Sequence, residues 1–248
     1  RVGQGGMGEV WRGERADGAF ARTVAIKFLR HDRSAASEHL RRERELLARL
    51  RHPGIAALLD AGIAADGRPY LVTEWVDGER LDHWLARRQP PLRQRVALAQ
   101  ALALAVAEAH SQLVIHRDLK PANVMVGASD TPRLLDFGIA RALDHAAASL
   151  QTRDGALTPA FAAPEQLRGE PISTRTDVYG LGGLLYVLLT GQGAHGEGDS
   201  SLAAVVERIC QQDAPPPSLS TTVEAPAWLA RSAATRPAIP APTITTSA

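Results

Sequence analysis

The sequence predicts an α+β chain of two lobes, a small sheet-rich lobe with one helix and then a larger, mostly helical lobe. Three observations predict it. Glycine-punctuated extended segments fill most of the first 76 residues, around a single helical stretch near Ser37–Leu50. After Asp77-Gly78 the pattern changes to helix, and Leu92–Leu113 is a long Ala/Leu/Val-rich run, apolar nearly all round and expected to be buried. From Pro215-Pro216-Pro217 onward the chain is rich in Pro, Ala, Ser and Thr, a composition that builds no core. The expected divisions are therefore a first lobe at 1–76, a second at 77–213 and a linker-like tail at 214–248.

Within the first lobe, Val2–Trp11 sets glycines between extended segments, and Asp17-Gly18 is a hairpin turn signal. Thr23–Leu29 alternates as a strand. Leu40, Leu47 and Leu50 share a helical phase, and His52-Pro53-Gly54 ends that helix. Ile55–Leu59 and Pro69–Val76 read as two further strands around the turn Asp66-Gly67, and the lobes join near Glu74–Gly78. In the second lobe Val124-Met125-Val126 suits a short strand, and Val178–Thr190 a buried helix too short to span a bilayer.

Composition excludes several classes. The 248 residues carry a formal net charge of +1, with 45% hydrophobic and 22% charged residues, which supplies no electrostatic argument for nucleic acid or an anionic membrane. The single cysteine, Cys210, excludes an internal disulfide framework and points to a reducing, cytoplasmic setting. No secretory signal is visible, and the start at Arg1 rather than Met is what a piece of a longer protein would show.

The chemistry concentrates in His116-Arg117-Asp118-Leu119-Lys120-Pro121-Ala122-Asn123. Pro121 disfavours helix at Lys120, so the run is a rigid loop. Asp136-Phe137-Gly138 brings a second carboxylate on a turn. Two carboxylates and an Asn at strand ends make a hard-oxygen site suited to Mg²⁺. Gly3, Gly5 and Gly8 fit a dinucleotide turn, a phosphate-covering hairpin or an ordinary glycine-rich loop. The strand-like Glu9–Arg12 that follows disfavours the first. Lys27 closes an apolar strand, where it either snorkels from the sheet edge or pairs with an acid. Glu43, in phase with Leu47, is the preferred partner over Glu38 and Glu45.

Gly3-x-Gly5-x-x-Gly8-x-Val10, Val24-Ala25-Ile26-Lys27, the 116–123 run, Asp136-Phe137-Gly138 and Ala163-Pro164-Glu165 occur in the order and approximate spacing of the eukaryotic-type protein kinases, which the chain resembles over residues 1–213. The Gly-Gly-Met-Gly variant is most similar to the bacterial serine/threonine kinases. The resemblance implies a two-lobed kinase fold, transfer of the γ-phosphoryl of Mg-ATP to protein Ser or Thr hydroxyls, and ATP and Mg²⁺ as cofactors. It implies that Val2, Gly3, Gly5 and Gly8 cover the phosphates, that Lys27 holds them while paired with Glu43, and that Asp136 and Asn123 bind the metal. Asp118 would be the base, and Lys120 would contact the γ-phosphate. Thr73, Glu74 and Val76 would line the adenine site, sandwiched by Val10, Ala25, Leu81 and Met125. Leu47, Leu58, His116 and Phe137 would stack between the lobes, and Asp177 would anchor His116, a packed histidine rather than a base.

Arg117 would receive a phosphate on Ser149 or Thr152 after self-association and autophosphorylation, and Thr158 would face the substrate, although Leu157 departs from the family's usual Gly. The partner implied is a protein with a Ser or Thr acceptor; no nucleic acid and no membrane segment are expected. The lower lobe departs from the family pattern beyond residue 213. Arg236 is the only remnant of an Arg that would pair with Glu165, which without it would be buried and unpaired. An inactive nucleotide-binding scaffold is the alternative, weakened by the presence of Lys27, Asp118 and Asp136 together.

Overall fold

The computed structural model describes residues 1–5, 8–14, 22–29, 45–137, 159–195 and 202–217. Strands β1 (Gly3–Gly5), β2 (Gly8–Glu14), β3 (Thr23–Leu29), β4 (Leu58–Ile63) and β5 (Pro69–Glu74) form an antiparallel sheet in the order β1-β2-β3-β5-β4. The register Val10↔Lys27↔Leu71 and Arg12↔Ala25↔Thr73 puts Val10, Ala25, Lys27 and Thr73 on one face, because side chains alternate with period two. Residues 45–49 are helical (α1), and Leu47 and Leu50 are buried against this sheet's core. The expected strand at Ile55–Leu59 is displaced. Ile55 makes a single parallel bridge to Leu134, and the strand proper starts at Leu58. Likewise β5 stops at Glu74 rather than Val76. Asp17-Gly18 and the first part of the predicted helix, Glu43 included, lie outside the described residues.

After residues 75–78 the chain becomes helical. Helices α2 (Leu81–Arg88), α3 (Leu92–Ser111), α4 (Pro164–Arg168), α5 (Thr174–Thr190) and α6 (Leu202–Gln211) accompany a three-stranded sheet of β6 (Glu79–Arg80), β7 (Val124–Val126) and β8 (Pro132–Leu134). α5 starts at Ser173, whose hydroxyl accepts from Arg175 N–H, and ends at Gly191 in the left-handed region, φ 77°. Leu98, Leu102 and Val106 of α3 pack with Leu184, Val187 and Leu188 of α5, each burial worth about 1.5–3 kcal/mol.

The all-round burial expected of these two helices is not found. Leu92, Val96 and Leu104 of α3 and Val178 and Leu185 of α5 are exposed, Leu104 by 58% and Val178 by 62%. Apolar composition tells which residues can be buried, whereas the number of helices packed around them decides which are. Among the described residues no helix is long and apolar enough to cross a membrane. The tail expected from 214 lies outside the described residues from 218 on, as does Arg236.

Candidate active site

The run 116–123 is a loop, as Pro121 dictates: Lys120 is extended (φ −158°, ψ 160°), and Pro121–Asn123 form one 3₁₀ turn leading into β7. Asp177, 1% exposed on α5, fixes its start. Its carboxylate accepts the backbone N–H groups of His116 and Arg117, both at 2.8 Å, and lies 2.7 Å from His110 Nε2. Two N–H groups on one carboxylate hold Arg117 at φ 66°, a left-handed conformation few non-glycine residues adopt. α5 approaches the loop closely because residue 180 is glycine, where a Cβ would come within 2.8 Å of Leu119 Cβ.

His116 is fully buried. The N–H of Asp118 points at its Nδ1 (3.3 Å), leaving Nε2–H to donate to Leu135 O at 2.9 Å, and burial pushes the imidazole below its usual pKa. That is the packed, hydrogen-bonded histidine expected. Its ring lies 4.6 Å from that of Phe137, and Leu47 and Leu58 belong to the same core.

Asp118, 8% exposed, is gripped within its own loop. Asn123 Nδ2 donates to its Oδ2 at 2.9 Å and to its backbone O at 2.8 Å, and Lys120 Nζ lies 2.9 Å from the same Oδ2. Across the crevice, Lys27 Nζ reaches Asp136 Oδ2 at 2.9 Å, joining the first sheet to the chain just beyond β8. This is the lysine's partner among the described residues, and the preferred Glu43 lies outside them; Asp136 itself is held at φ 54°. Asp118, Lys120 and Asn123 thus form one hydrogen-bonded group, and Lys27 and Asp136 a second.

Of the glycines, Gly8 has a structural necessity. Its φ is 137°, and a Cβ there would fall 1.9 Å from Phe28 O. At Gly3 a Cβ would meet only Val10 Cβ at 3.9 Å. β1 and β2 pair directly, Gly5 opposite Gly8, so the glycines sit in a hairpin and not in a strand–turn–helix unit. Val2 is tied to β2 through its N–H to Val10 O, 2.9 Å.

Val10, Ala25, Thr73, Val76 and Met125 are half-buried. Leu81 is 0% exposed and therefore stands behind the wall, not in it. The N–H of Glu74 is taken by Ala57 O at 2.9 Å, so only its carbonyl can serve a ligand there. Glu165 also differs from expectation. It is half-buried, and Thr176 Oγ1 donates to it at 2.6 Å, so an Arg is not needed to satisfy it. Gln166 was invisible to sequence reasoning: its Nε2 donates to Arg117 O at 2.8 Å and ties α4 to the loop. Ser149, Thr152, Leu157, Thr158 and Gly138 lie outside the described residues.

The donor set fits a magnesium nucleotide. Asn123 spends its amide nitrogen on Asp118, which leaves its carboxamide oxygen as a hard donor, and Asp136 supplies a carboxylate. Among the described residues no three His, Cys, Asp or Glu side chains are grouped to hold a metal.

A sequence model described as "Protein kinase domain" matches residues 1–232. The serine/threonine-protein kinase pkn2 of Myxococcus xanthus is 40% identical over 199 residues, covering 77% of this chain and 24% of that protein. The serine/threonine-protein kinases PknB of Mycobacterium leprae (36% over 222 residues) and of Mycobacterium tuberculosis (38% over 224) each cover 87% of this chain and 35% of their own length. The chain thus spans about a third or less of these curated relatives.

Proposed function

Since this chain belongs to the protein kinase domain family, we propose that it is an ATP-dependent protein serine/threonine kinase working at the crevice between the five-stranded sheet and the helical body. The observation that carries this is the pairing across the crevice. Lys27 and Asp136 meet at 2.9 Å over a loop in which Asp118, Lys120 and Asn123 already share hydrogen bonds. In this reading residues 1–76 and 77–213 are the two lobes and 214–248 a tail.

ATP would lie under the β1–β2 hairpin, at Val2, Gly3, Gly5 and Gly8. Its adenine would pair with the carbonyl of Glu74 and the N–H of Val76, between Val10 and Ala25 above and Met125 below, with Thr73 at the back. Both lysines are now matched to carboxylates, and phosphate oxygens offer each a second anion: Lys27 at the α- and β-phosphates, Lys120 at the γ. Asp136 and the Asn123 oxygen would hold Mg²⁺, which supplies charge neutralisation on the phosphates. Asp118 would take the proton of the acceptor hydroxyl as its oxygen bonds to the γ-phosphorus, and the bond from that phosphorus to the β-bridging oxygen breaks, releasing ADP. Positioning and charge do this work, so no strong nucleophile is required of the protein. The acceptor would be a protein Ser or Thr, including one on a second copy of the chain, with Ser149 or Thr152 as autophosphorylation sites read by Arg117.

A γ-³²P transfer assay on a generic basic protein tests the proposal. Incorporation into Ser or Thr that disappears in Asp118→Asn is the expected result. Nucleotide binding without transfer in the wild type would instead identify a non-catalytic scaffold.

A further inference from the structure

Arg133 lies on β8, three residues before Asp136, and the sequence offers no reason to single it out. Its Nη2 sits 2.6 Å from Glu74 Oε2, at the end of β5, and 2.9 Å from the carbonyl of Ile55. The side chains of this pair are only 26% and 32% exposed. The Arg133 Nε is buried with no acceptor among the described residues, so the guanidinium is committed to these two partners at some cost. Around it, Leu134 N–H donates to Gly54 O at 2.8 Å and Leu134 O accepts from Ala56 N–H at 2.9 Å. Leu135 N–H donates to Asn123 O at 2.9 Å, and Leu135 O accepts from His116. Four consecutive residues, 133–136, therefore bind in turn the end of β5, the 54–56 connection, the 116–123 loop and Lys27.

We propose that Arg133 is a positioning residue for nucleotide binding: through Glu74 it fixes the strand end whose carbonyl would face adenine relative to the β8 segment that carries Asp136. It touches no substrate atom. Its effect is to keep the two ends of the nucleotide site at one spacing before the nucleotide arrives. The inference rests on the nucleotide site proposed above, and its test separates the two.

The full chain, wild type and variants, is titrated with a fluorescent ADP analogue and assayed for transfer over a range of ATP, with Tm measured in parallel. Arg133→Met, which keeps the aliphatic stem, is expected to raise both the analogue Kd and the KM for ATP about tenfold while kcat stays within about twofold. Arg133→Lys is expected to recover part of the loss, since an ammonium keeps the charge for Glu74 but not the planar, longer guanidinium whose Nη2 serves both Glu74 and Ile55. Glu74→Gln is expected to raise KM in the same direction. A lowered Tm with unchanged Kd and KM in Arg133→Met would make the pair merely structural and overturn the proposal. A raised kcat would make it a restraint on the lobes and overturn it equally. If the wild type binds the analogue and Arg133→Met binds it as well, only the positioning role falls. If the wild type does not bind it, the nucleotide site falls too.

Discussion

The two sides of the crevice are built differently. On the helical side, His116, Asp118, Asn123 and Asp177 are each 8% exposed or less, and each is held by hydrogen bonds within that body. On the sheet side, Val10, Ala25 and Lys27 are half-buried. Among the described residues the hold of Lys27 on the far side is the ion pair to Asp136. One side has its geometry set by the core, whereas the other is partly open to solvent. A transfer reaction needs both, a fixed base and a sheet that can settle onto a ligand.

Breaking the fixed side should cost stability first. Asp177→Ala removes the acceptor of two buried N–H groups and of His110, and is expected to destabilise the protein by about 3–5 kcal/mol in urea denaturation. A loss below 1 kcal/mol would mean the loop is held by other contacts. Breaking the sheet side should cost activity instead. Lys27→Met is expected to lower transfer by about 10²–10³ while leaving the melting curve nearly in place. Retained transfer would make the lysine structural. The smallest effect falls on the hairpin. Gly8→Ala forces a Cβ against Phe28 O and is expected to cost about 1–3 kcal/mol, with amide exchange quickening in β2 and β3 and not in α3 or α5.

The same contrast governs what could be read in the sequence. The loop at Pro121 and β7 were legible because local chemistry decides them, a fixed φ and a short apolar run, whereas the packed His116 was implied by the family resemblance alone. The pairing of Lys27 with Asp136 was not legible, since the two stand far apart in the chain and only the approach of the two lobes brings them together. Thr176 on Glu165, Gln166 on Arg117 and Arg133 on Glu74 were hidden for the same reason, being pairs far apart in the chain joined by ordinary polar residues. The exposed faces of α3 and α5 escaped prediction because periodicity describes a helix and not its neighbours.

The proposed function requires one nucleotide held from both sides and one base that acts on what that nucleotide carries. Calorimetric titration with ATP, with and without Mg²⁺, on the wild type, Asp136→Ala and Asp118→Asn tests it most directly. Magnesium-dependent binding in the wild type, its loss in Asp136→Ala, and its survival in a transfer-dead Asp118→Asn are the results expected. Magnesium-dependent binding undiminished in Asp136→Ala, or transfer undiminished in Asp118→Asn, would contradict it.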